Sequence, residues 1–524
     1  MRSLAEQRRE TAEIDLGNTL IKRSVCIVSL LIFGVLLLSV PVCQFVSEIV
    51  RGKFTQVSGT VALFSNPKRE SFEEYEDTLE EESVLTNWLL PSVQTVMTGF
   101  LRTGNEQVYL GSEGWLYYRA DVDSLISSPG IQSDKSDDSN FTQDALEAIV
   151  DFKRQLEARN IVLIVMPTPV KPTIHPEKFS SRQNRPTAPL NNPSYEGFVE
   201  GLISHGVLVY DPTLMLFDAA REEKQYLKTD THWNPEAMES VAQHLAGFIT
   251  EHVVFDNMPE SAYAKSTEEV TNEGDIARML NLRENQNLFP QESVTTHVIR
   301  TESGDYWKPD RNAEILLLGD SFSNIYSLGW LGWGESSGFV EHLSSELSRP
   351  IDKIVTNAGG SFLTRQTLVK EPERLDGKRV VVYQFASREI VFGIWKRLQI
   401  PETDTISVEG VDKPIKQGSE KTIVASIKDR TVPPVPGTVP YSDCIIALHL
   451  EKIESVGLPD EFVVFVWGMQ DNKWTDAAKY KVGQKVKLRI QEWASVQDNY
   501  GSYNRIELDN EDAWVLDVFW GEVP

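Results

Sequence analysis

The sequence predicts an α/β fold, a mostly parallel sheet covered by helices on both faces. An N-terminal transmembrane helix precedes it and an all-β domain, barrel or sandwich, follows it. Three observations carry that prediction. Between about residues 105 and 400, short uninterrupted apolar runs alternate with amphipathic helical stretches, the pattern of strands buried on both faces. From about 405 onward, helical periodicity gives way to short strand-like runs separated by turns. Residues 25–46 are apolar and contain no charged side chain. The implied organisation is a tail over 1–24, a span over 25–46, a membrane-proximal segment over 47–104, a main domain over 105–400 and a β-domain over 405–524.

In chain order, the span comes first. About 22 helical residues reach roughly 33 Å, the thickness of a bilayer's hydrocarbon core. Arg2, Arg8, Arg9, Lys22 and Arg23 precede it, which places the N-terminus in the cytoplasm and the rest of the chain across the membrane. A cleaved signal peptide would have a shorter apolar core and a small-residue cleavage site. Cys43 follows Val40, Pro41 and Val42, which lack the small residues of a lipoprotein site. The acidic stretch 70–82 belongs to a stalk or peripheral helix. Residues 108–118 read as a tight hairpin, with Gly111 and Gly114 free to take positive φ, and 126–139 as a surface loop.

A helix capped by Asn140 or Thr142 runs to about Arg159, with Ala145, Ile149, Phe152 and Leu156 on one face. A buried strand follows over 161–166, and a helix–strand pair ends at 207–210. Asn234 and Pro235 open another helix, with Met238, Val241, Leu245 and Phe248 inward. Strands are expected at 314–318, 353–356 and 379–385, and in the β-domain at 421–427, 444–450, 462–467, 484–491 and 514–519.

Composition narrows the function. The 524 residues include 51 Lys plus Arg against 77 Asp plus Glu, a formal charge of −26. Such a chain repels nucleic acid and anionic lipid surfaces in the absence of a basic patch. Three cysteines exclude a disulfide scaffold and a thiolate-built metal cluster, and only Cys444 lies outside the apolar segment.

Two segments carry chemistry. An apolar strand runs into Gly319, Asp320 and Ser321, where a helix begins. That junction puts the Ser321 hydroxyl at the C-terminal edge of a parallel sheet, beside free helix amides that favour an oxyanion. Serine needs a base and a group to orient it. Among eight histidines, His232 has a carboxylate, Asp230, two residues away and just before a capped helix. The plainer alternatives are Ser321 as a helix cap and Asp230/His232 as a satisfied surface pair. A metal site built on Asp230 and His232 would need a third ligand such as His205, Asp211 or Asp320.

Gly319-Asp320-Ser321-Phe322 resembles the first block of the SGNH (GDSL-like) hydrolases. Together with the upstream Asp230-Thr231-His232-Trp233, the sequence resembles the alginate O-acetyltransferase proteins of the bacterial periplasm, in which the Asp and His precede the serine. Residues 111–117, 357–361 and 381–385, with Arg388 and Glu389, add to the resemblance, which covers about 105–395. It implies an SGNH-hydrolase-like three-layer domain with Ser321 as nucleophile, His232 as base and Asp230 as orienting acid. Gly360 and Phe362 become candidates for the oxyanion amides, because Phe362 stands where the family's second block has glycine. No family asparagine follows the strand over 379–385; Gln384 and Arg388 stand there as candidate substrate-binding residues, with Arg388 also able to pair with Glu389 or Asp320.

The family's alginate-modifying member carries a carbohydrate-binding module after its catalytic domain. Trp467, Trp474, Trp493, Trp514 and Trp520 in the β-domain are therefore candidates for stacking on sugars, with core packing as the alternative. The resemblance implies O-acetylation of an exported polysaccharide through an acyl-serine. The acetyl donor would come from a membrane acyltransferase partner, with no cofactor, metal or nucleic acid. The protein would cross the bacterial inner membrane once and place its soluble part in the periplasm. An esterase shares the first chemical step, and a catalytically silent scaffold of an exopolysaccharide complex would share the fold.

Overall fold

The computed structural model describes residues 23–50, 68–69, 83–127, 141–180, 185–255, 261–283, 286–357, 359–401, 420–436, 439, 441–454, 458–501, 503–508, 510, 513 and 516–523. The tail over 1–22, most of the stalk including its acidic stretch 70–82, the candidate cap Asn140, the break near 405 and Trp514 lie outside these residues. The chain forms two compact units, Met1–Thr95 and Val96–Pro524.

In the first unit, α1 (Arg23–Val50) is a helix with Pro41 inside it. Its stretch Ser24–Val46 is 23 residues long and apolar enough to cross a membrane. Helix α2 (Val84–Leu101) follows, running past the boundary at Thr95, and it contains no charged residue.

The second unit opens with the antiparallel hairpin β1 (Val108–Leu110) and β2 (Leu116–Tyr118). Its turn places Glu113 and Gly114 at positive φ. Gly111 serves another purpose: a Cβ there would stand 2.5 Å from the Lys178 carbonyl oxygen. Next come α3 (Phe141–Glu157), which contains Thr142, and β3 (Val162–Thr168). Then follow α4 (Tyr195–Ser204), β4 (Leu208–Val209) and α5 (Pro235–His252). Asn234 caps α5, its side chain accepting from the Ala237 amide.

One element pair escapes the sequence reading. Residues between α5 and the next core strand form a long antiparallel ribbon, β5 (Tyr263–Asn272) with β6 (Glu292–Thr301). Strand β5 is polar and exposed over most of its length, so it lacks the apolar alternation that marks a strand.

The core sheet is completed by β7 (Ile315–Gly319), β8 (Asp352–Val355) and β9 (Val380–Ala386). Its five strands run in the order β4-β3-β9-β7-β8, all parallel. Alternate residues of each strand feed two cores. Ile164, Met166, Ile315, Leu317, Val380 and Val382 pack with Met238, Val241 and Leu245 of α5 and with Phe339 and Leu343 of the helix Phe339–Leu347. Leu163, Val165, Leu316, Leu318, Val381 and Tyr383 pack with Ala145, Ile149, Phe152 and Leu156 of α3 and Phe198 and Leu202 of α4. Both faces are thus covered, which is why these strands are continuous apolar runs.

The C-terminal region forms a closed barrel. Strands β10 (Lys421–Arg430), β11 (Cys444–Glu451), β12 (Glu461–Gln470), β14 (Lys485–Glu492) and β16 (Val518–Glu522) pair in the cycle β12-β16-β14-β10-β11-β12. The short strands β13 (Lys473–Trp474) and β15 (Asn504–Ile506) flank it. The last barrel strand therefore lies later than the expected 514–519. The interior holds Ile423, Ile446, Leu448, Phe462, Val464 and Leu488, a core separate from those of the main sheet.

On the outer side of β11 and β12, Ile445, Val463, Phe465 and Trp520 form a further cluster. Trp520 is fully buried and stacks on Tyr500 at 4.0 Å. Trp467 packs edge-on against Tyr503 and Trp520, Trp493 against Phe465, and the Trp474 indole donates to the Pro434 carbonyl. Trp467, Trp493 and Trp520 are thus engaged in packing within the protein, and Trp474 is held by a hydrogen bond.

Candidate active site

Strand β7 ends at Gly319, and a short helix, Ser321–Asn324, starts two residues later. Asp320, not Ser321, is its cap: Asp320 Oδ1 accepts the Phe322 amide at 2.9 Å. Asp320 Oδ2 accepts the Ala386 amide at 2.7 Å, which pins the turn to the end of β9. Gly319 is needed for close approach, since a Cβ there would stand 2.6 Å from Ser323 Oγ.

Gln384 locks the same turn from beneath. Its Oε1 accepts from the Asp320 amide at 3.0 Å and Ser323 Oγ at 2.8 Å, and its Nε2 donates to Thr168 Oγ1 and Asp320 Oδ1, each at 2.9 Å. Fully buried and with its amide spent on these contacts, Gln384 has no free atom for substrate. The expectation of substrate contact is corrected to a role in holding the turn. Gln384→Leu should therefore lower unfolding free energy by about 2–4 kcal/mol, because it orphans buried donors and acceptors. Urea titration of the variant checks this.

Asp230 and His232 lie in a tight loop closed by the Leu227 amide on the His232 carbonyl at 3.1 Å and by an antiparallel bridge from Tyr226 to Trp233. The loop is bent, so the two side chains meet through a turn and not through the same-side alternation of an extended stretch. Asp230 Oδ1 accepts from His232 Nδ1 at 2.7 Å and from the His232 amide at 3.2 Å. His232 Nε2 stands 2.8 Å from Ser321 Oγ. Asp230 and His232 are buried and Ser321 is half-buried. The Phe322 ring packs edge-on against the imidazole at 4.8 Å.

Burial by itself would raise the Asp230 pKa, but the hydrogen bond and charge of His232 and the Trp333 indole outweigh it, holding the carboxyl below the usual range. Burial likewise disfavours the His232 imidazolium, yet the Asp230 hydrogen bond and charge raise its pKa above the ordinary 6.5. A serine, a base on it and a carboxylate on the base can together generate a nucleophile and then protonate a leaving group.

Two residues that sequence reasoning missed complete the surroundings of Asp230. The Trp333 indole donates to Asp230 Oδ2 at 2.8 Å, and the Asp275 amide donates to the same oxygen at 3.0 Å. The Asp275 carboxylate accepts the Thr231 amide at 2.7 Å and reaches within 3.9 Å of His232 Nδ1. Burial, then the Asp230 charge, push the Asp275 carboxyl upward. Neither residue stands at a spacing that signals its place. Asp275 opens a short helix behind Gly274 and reads as a first-turn acid, and Trp333 sits in a Gly/Trp-rich loop.

The buried Lys171 ties the hairpin to this loop, donating to the Leu116 carbonyl at 2.8 Å and the Lys228 carbonyl at 3.3 Å. Burial pushes its ammonium down to about 8. Arg388 feels the charges of Glu389 and Asp320 but makes its direct ion pair elsewhere. Its Nη1 donates to Asp121 Oδ1 at 2.8 Å, and Asp121 is fully buried in the helix after the hairpin.

For the oxyanion, Ser321 is the first helical residue, and its amide has no intrahelical acceptor. Gly360 packs on this turn, where a Cβ would stand 3.0 Å from Asp320 Cβ. The Phe362 amide is directed to the Gly359 carbonyl at 3.4 Å, which weakens its candidacy. Asn357 offers another donor: its Oδ1 accepts from Asn324 Nδ2 at 3.2 Å, while its buried Nδ2 has no partner among the described residues.

Of the expected third metal ligands, Asp320 lies beside Ser321 but spends its carboxylate on the Phe322 and Ala386 amides, and the other two lie elsewhere. His205 is exposed and bonds the Gly201 carbonyl, and Asp211 serves Tyr195 and Thr213. Asp230, His232 and Asp275 do cluster within 4.8 Å. However, the 2.7 Å contact between Asp230 and His232 is a hydrogen bond, shorter than the roughly 3.3 Å separating two ligands of one tetrahedral ion.

A parallel sheet layered between helices, with a serine at the end of one strand and an Asp-x-His loop upstream of it, defines an SGNH-hydrolase-like protein. Residues 108–387 match the family model described as SGNH hydrolase-like domain, acetyltransferase AlgX. The match spans more than half of the chain, and the protein belongs to that family. Similar proteins include the probable alginate O-acetylase AlgJ of Pseudomonas fluorescens, 25% identical over 293 residues, covering 54% of this chain and 68% of that one. The protein of the same name from Pseudomonas syringae pv. tomato is 26% identical over 227 residues, covering 42% of this chain and 55% of the relative. Among solved structures, the O-acetyltransferase domain of Pseudomonas putida AlgJ aligns with TM-score 0.43 and 20% identity, covering 54% of this chain and 91% of that chain. Pseudomonas aeruginosa AlgX aligns with TM-score 0.41 and 14% identity, covering 74% and 90%.

Proposed function

We propose that this protein is a serine-dependent O-acetyltransferase acting on an exported bacterial polysaccharide. The observation that carries the reading is the unbroken chain from Asp230 Oδ1 through both His232 nitrogens to Ser321 Oγ, at 2.7 and 2.8 Å. Family membership and the alginate O-acetylase names of its relatives support acetyl as the group and polysaccharide as the acceptor.

Ser321 Oγ attacks the carbonyl carbon of an acetyl ester or thioester while His232 Nε2 takes its proton. The oxyanion forms beside the Ser321 and Gly360 amides and the Asn357 side-chain amide. Collapse of the intermediate breaks the bond to the donor, whose leaving atom receives the proton from His232. A sugar hydroxyl then attacks the acetyl-serine, His232 takes that hydroxyl's proton, and the second collapse returns it to Ser321 Oγ. Asp230 keeps the ring in the tautomer this requires and stabilises the imidazolium. Arg388, held by Asp121, contributes positive charge that acts on His232.

The apolar helix α1 fits a single inner-membrane span that keeps the remaining chain in the periplasm, next to a membrane acyltransferase partner that supplies acetyl groups. Full-length protein in detergent, given an activated acetyl ester and exopolysaccharide oligomers that are neutral, acidic or amino-sugar based, should transfer acetyl to one class of oligomer faster than to water. Release of acetate alone, with all three classes, would instead make the protein an esterase.

A further inference from the structure

The acid of the proposed site is gripped by two buried residues, Trp333 and Asp275, on the oxygen that His232 does not use. We propose that Trp333 and Asp275 are positioning residues for this site: they hold the Asp230 carboxylate in the orientation that engages His232, and the Asp275 carboxylate adds a second negative group behind the imidazole. The inference rests on the acyl-transfer reading above.

The two oxygens of Asp230 have separate duties. Oδ1 serves His232, taking the ring Nδ1 at 2.7 Å and the backbone amide at 3.2 Å. Oδ2 serves the grip, taking the Trp333 indole at 2.8 Å and the Asp275 amide at 3.0 Å. Without the second pair, the carboxylate could swing about its χ2 axis and leave the ring with a misdirected acceptor. Hydrogen bonds to an ionised acceptor are among the stronger kinds, and they are directional. Asp275 is itself fixed by the Thr231 amide, which aims its other oxygen at His232 from 3.9 Å. The proton on Nδ1 belongs to Asp230, so Asp275 acts on the ring through charge alone.

Backbone geometry brings both residues in from the base of the β5–β6 ribbon. Gly274, at φ +88°, lies so close to the catalytic loop that a Cβ would stand 2.5 Å from the Thr229 carbonyl oxygen. Gly332, at φ +86°, lies equally close to Asn272 at the end of β5, whose side chain donates to the Leu331 carbonyl at 3.2 Å. At the start of β6, Glu292 accepts the Thr229 amide and hydroxyl, each at 2.9 Å. The ribbon thus clamps the loop on both sides of Asp230.

Other charged groups act on the same site. Arg388, after β9, opposes the imidazolium, and the buried Lys171 interacts with Asp230 and Asp275. Both remain in place in the variants below.

The test uses full-length protein in detergent micelles, with Trp333→Phe, which keeps the ring and removes the donor, and Asp275→Asn, which keeps the amide and shape and removes the charge. One readout is independent of turnover: the pH titration of the low-field Nδ1 proton of His232, assigned by its loss in His232→Gln. The other is the pH–rate profile of Ser321 acetylation by an activated ester. Asp275→Asn should lower the His232 titration midpoint by on the order of 0.5–1 pH unit, since a favourable negative charge is lost. The acid limb of the rate profile should move the same way, and its plateau should fall about 3–10-fold. Trp333→Phe should lower the plateau about 10-fold while the ester's KM stays unchanged, because the indole touches no substrate. The variants alter different atoms, so misfolding of one leaves the other to decide. Folded variants with the parent's titration midpoint and plateau would overturn the proposal. If Ser321 is never acetylated even in the parent protein, the acyl-transfer reading fails, and the titration midpoint still decides whether Asp275 acts on His232.

Discussion

Ser321→Ala abolishes acetylation at position 321 by an activated acetyl ester and leaves the thermal unfolding midpoint within about 2–4 °C of the parent. The loss at this site should be complete because, among the described residues, the hydroxyl that His232 Nε2 bonds is that of Ser321. Ser323, the nearest hydroxyl in sequence, is fully buried and bonded to Gln384. The fold should be spared for a reason visible in the turn itself. The cap of the short helix is Asp320, so removing the Ser321 hydroxyl costs no cap. What is lost is one hydrogen bond of a half-buried side chain to His232, worth about 0.5–1.5 kcal/mol. Intact mass after incubation with the ester, with a melting curve on the same sample, checks both halves of the expectation.

His232→Ala slows acetylation of Ser321 by about 10²–10⁴-fold, the range of a positioned proton-transfer group. In the parent protein the rate should climb with pH through a midpoint above the ordinary imidazole value of 6.5, because the neutral ring is the base and Asp230 stabilises the charged one. The variant should lose that climb. Stability follows the opposite trend. A histidine whose folded pKa is raised contributes stability that is fully present below its unfolded value, and that stability is lost as pH rises through the folded value. The variant's deficit in unfolding temperature should therefore be larger at pH 5.5 than at pH 8.5. Stopped-time labelling across pH and melting curves at those two pH values measure the two trends.

The legible parts of this molecule are those where one local signal suffices. Strands β3, β7 and β9 are buried on both faces, so continuous apolar runs reveal them. Asn234 and Pro235 mark the start of α5 because capping is a local interaction. Asp230 and His232 stand out because they lie two positions apart, although a bent loop brings them together. Contacts built across long chain separations left no such trace. Arg388 reaches Asp121 across 267 residues, and Trp333 reaches Asp230 across 103. The ribbon that makes the second contact possible was itself hidden, because β5 exposes polar residues on both faces. The aromatic residues after β14 show the same limit from the other side: composition alone could not separate rings that bind sugar from rings that pack, as Trp520 does.

The most direct test of the account is peptide mapping of full-length protein quenched during reaction with an activated acetyl ester, followed by a chase with the exopolysaccharide oligomer that best accepts acetyl. The account predicts one added acetyl group on the peptide that carries Ser321, absent from the Ser321→Ala protein, and its disappearance in the chase in step with acetylation of the oligomer. Acetyl on the oligomer with no acetyl ever present on Ser321, or with the Ser321→Ala protein equally active, would contradict it.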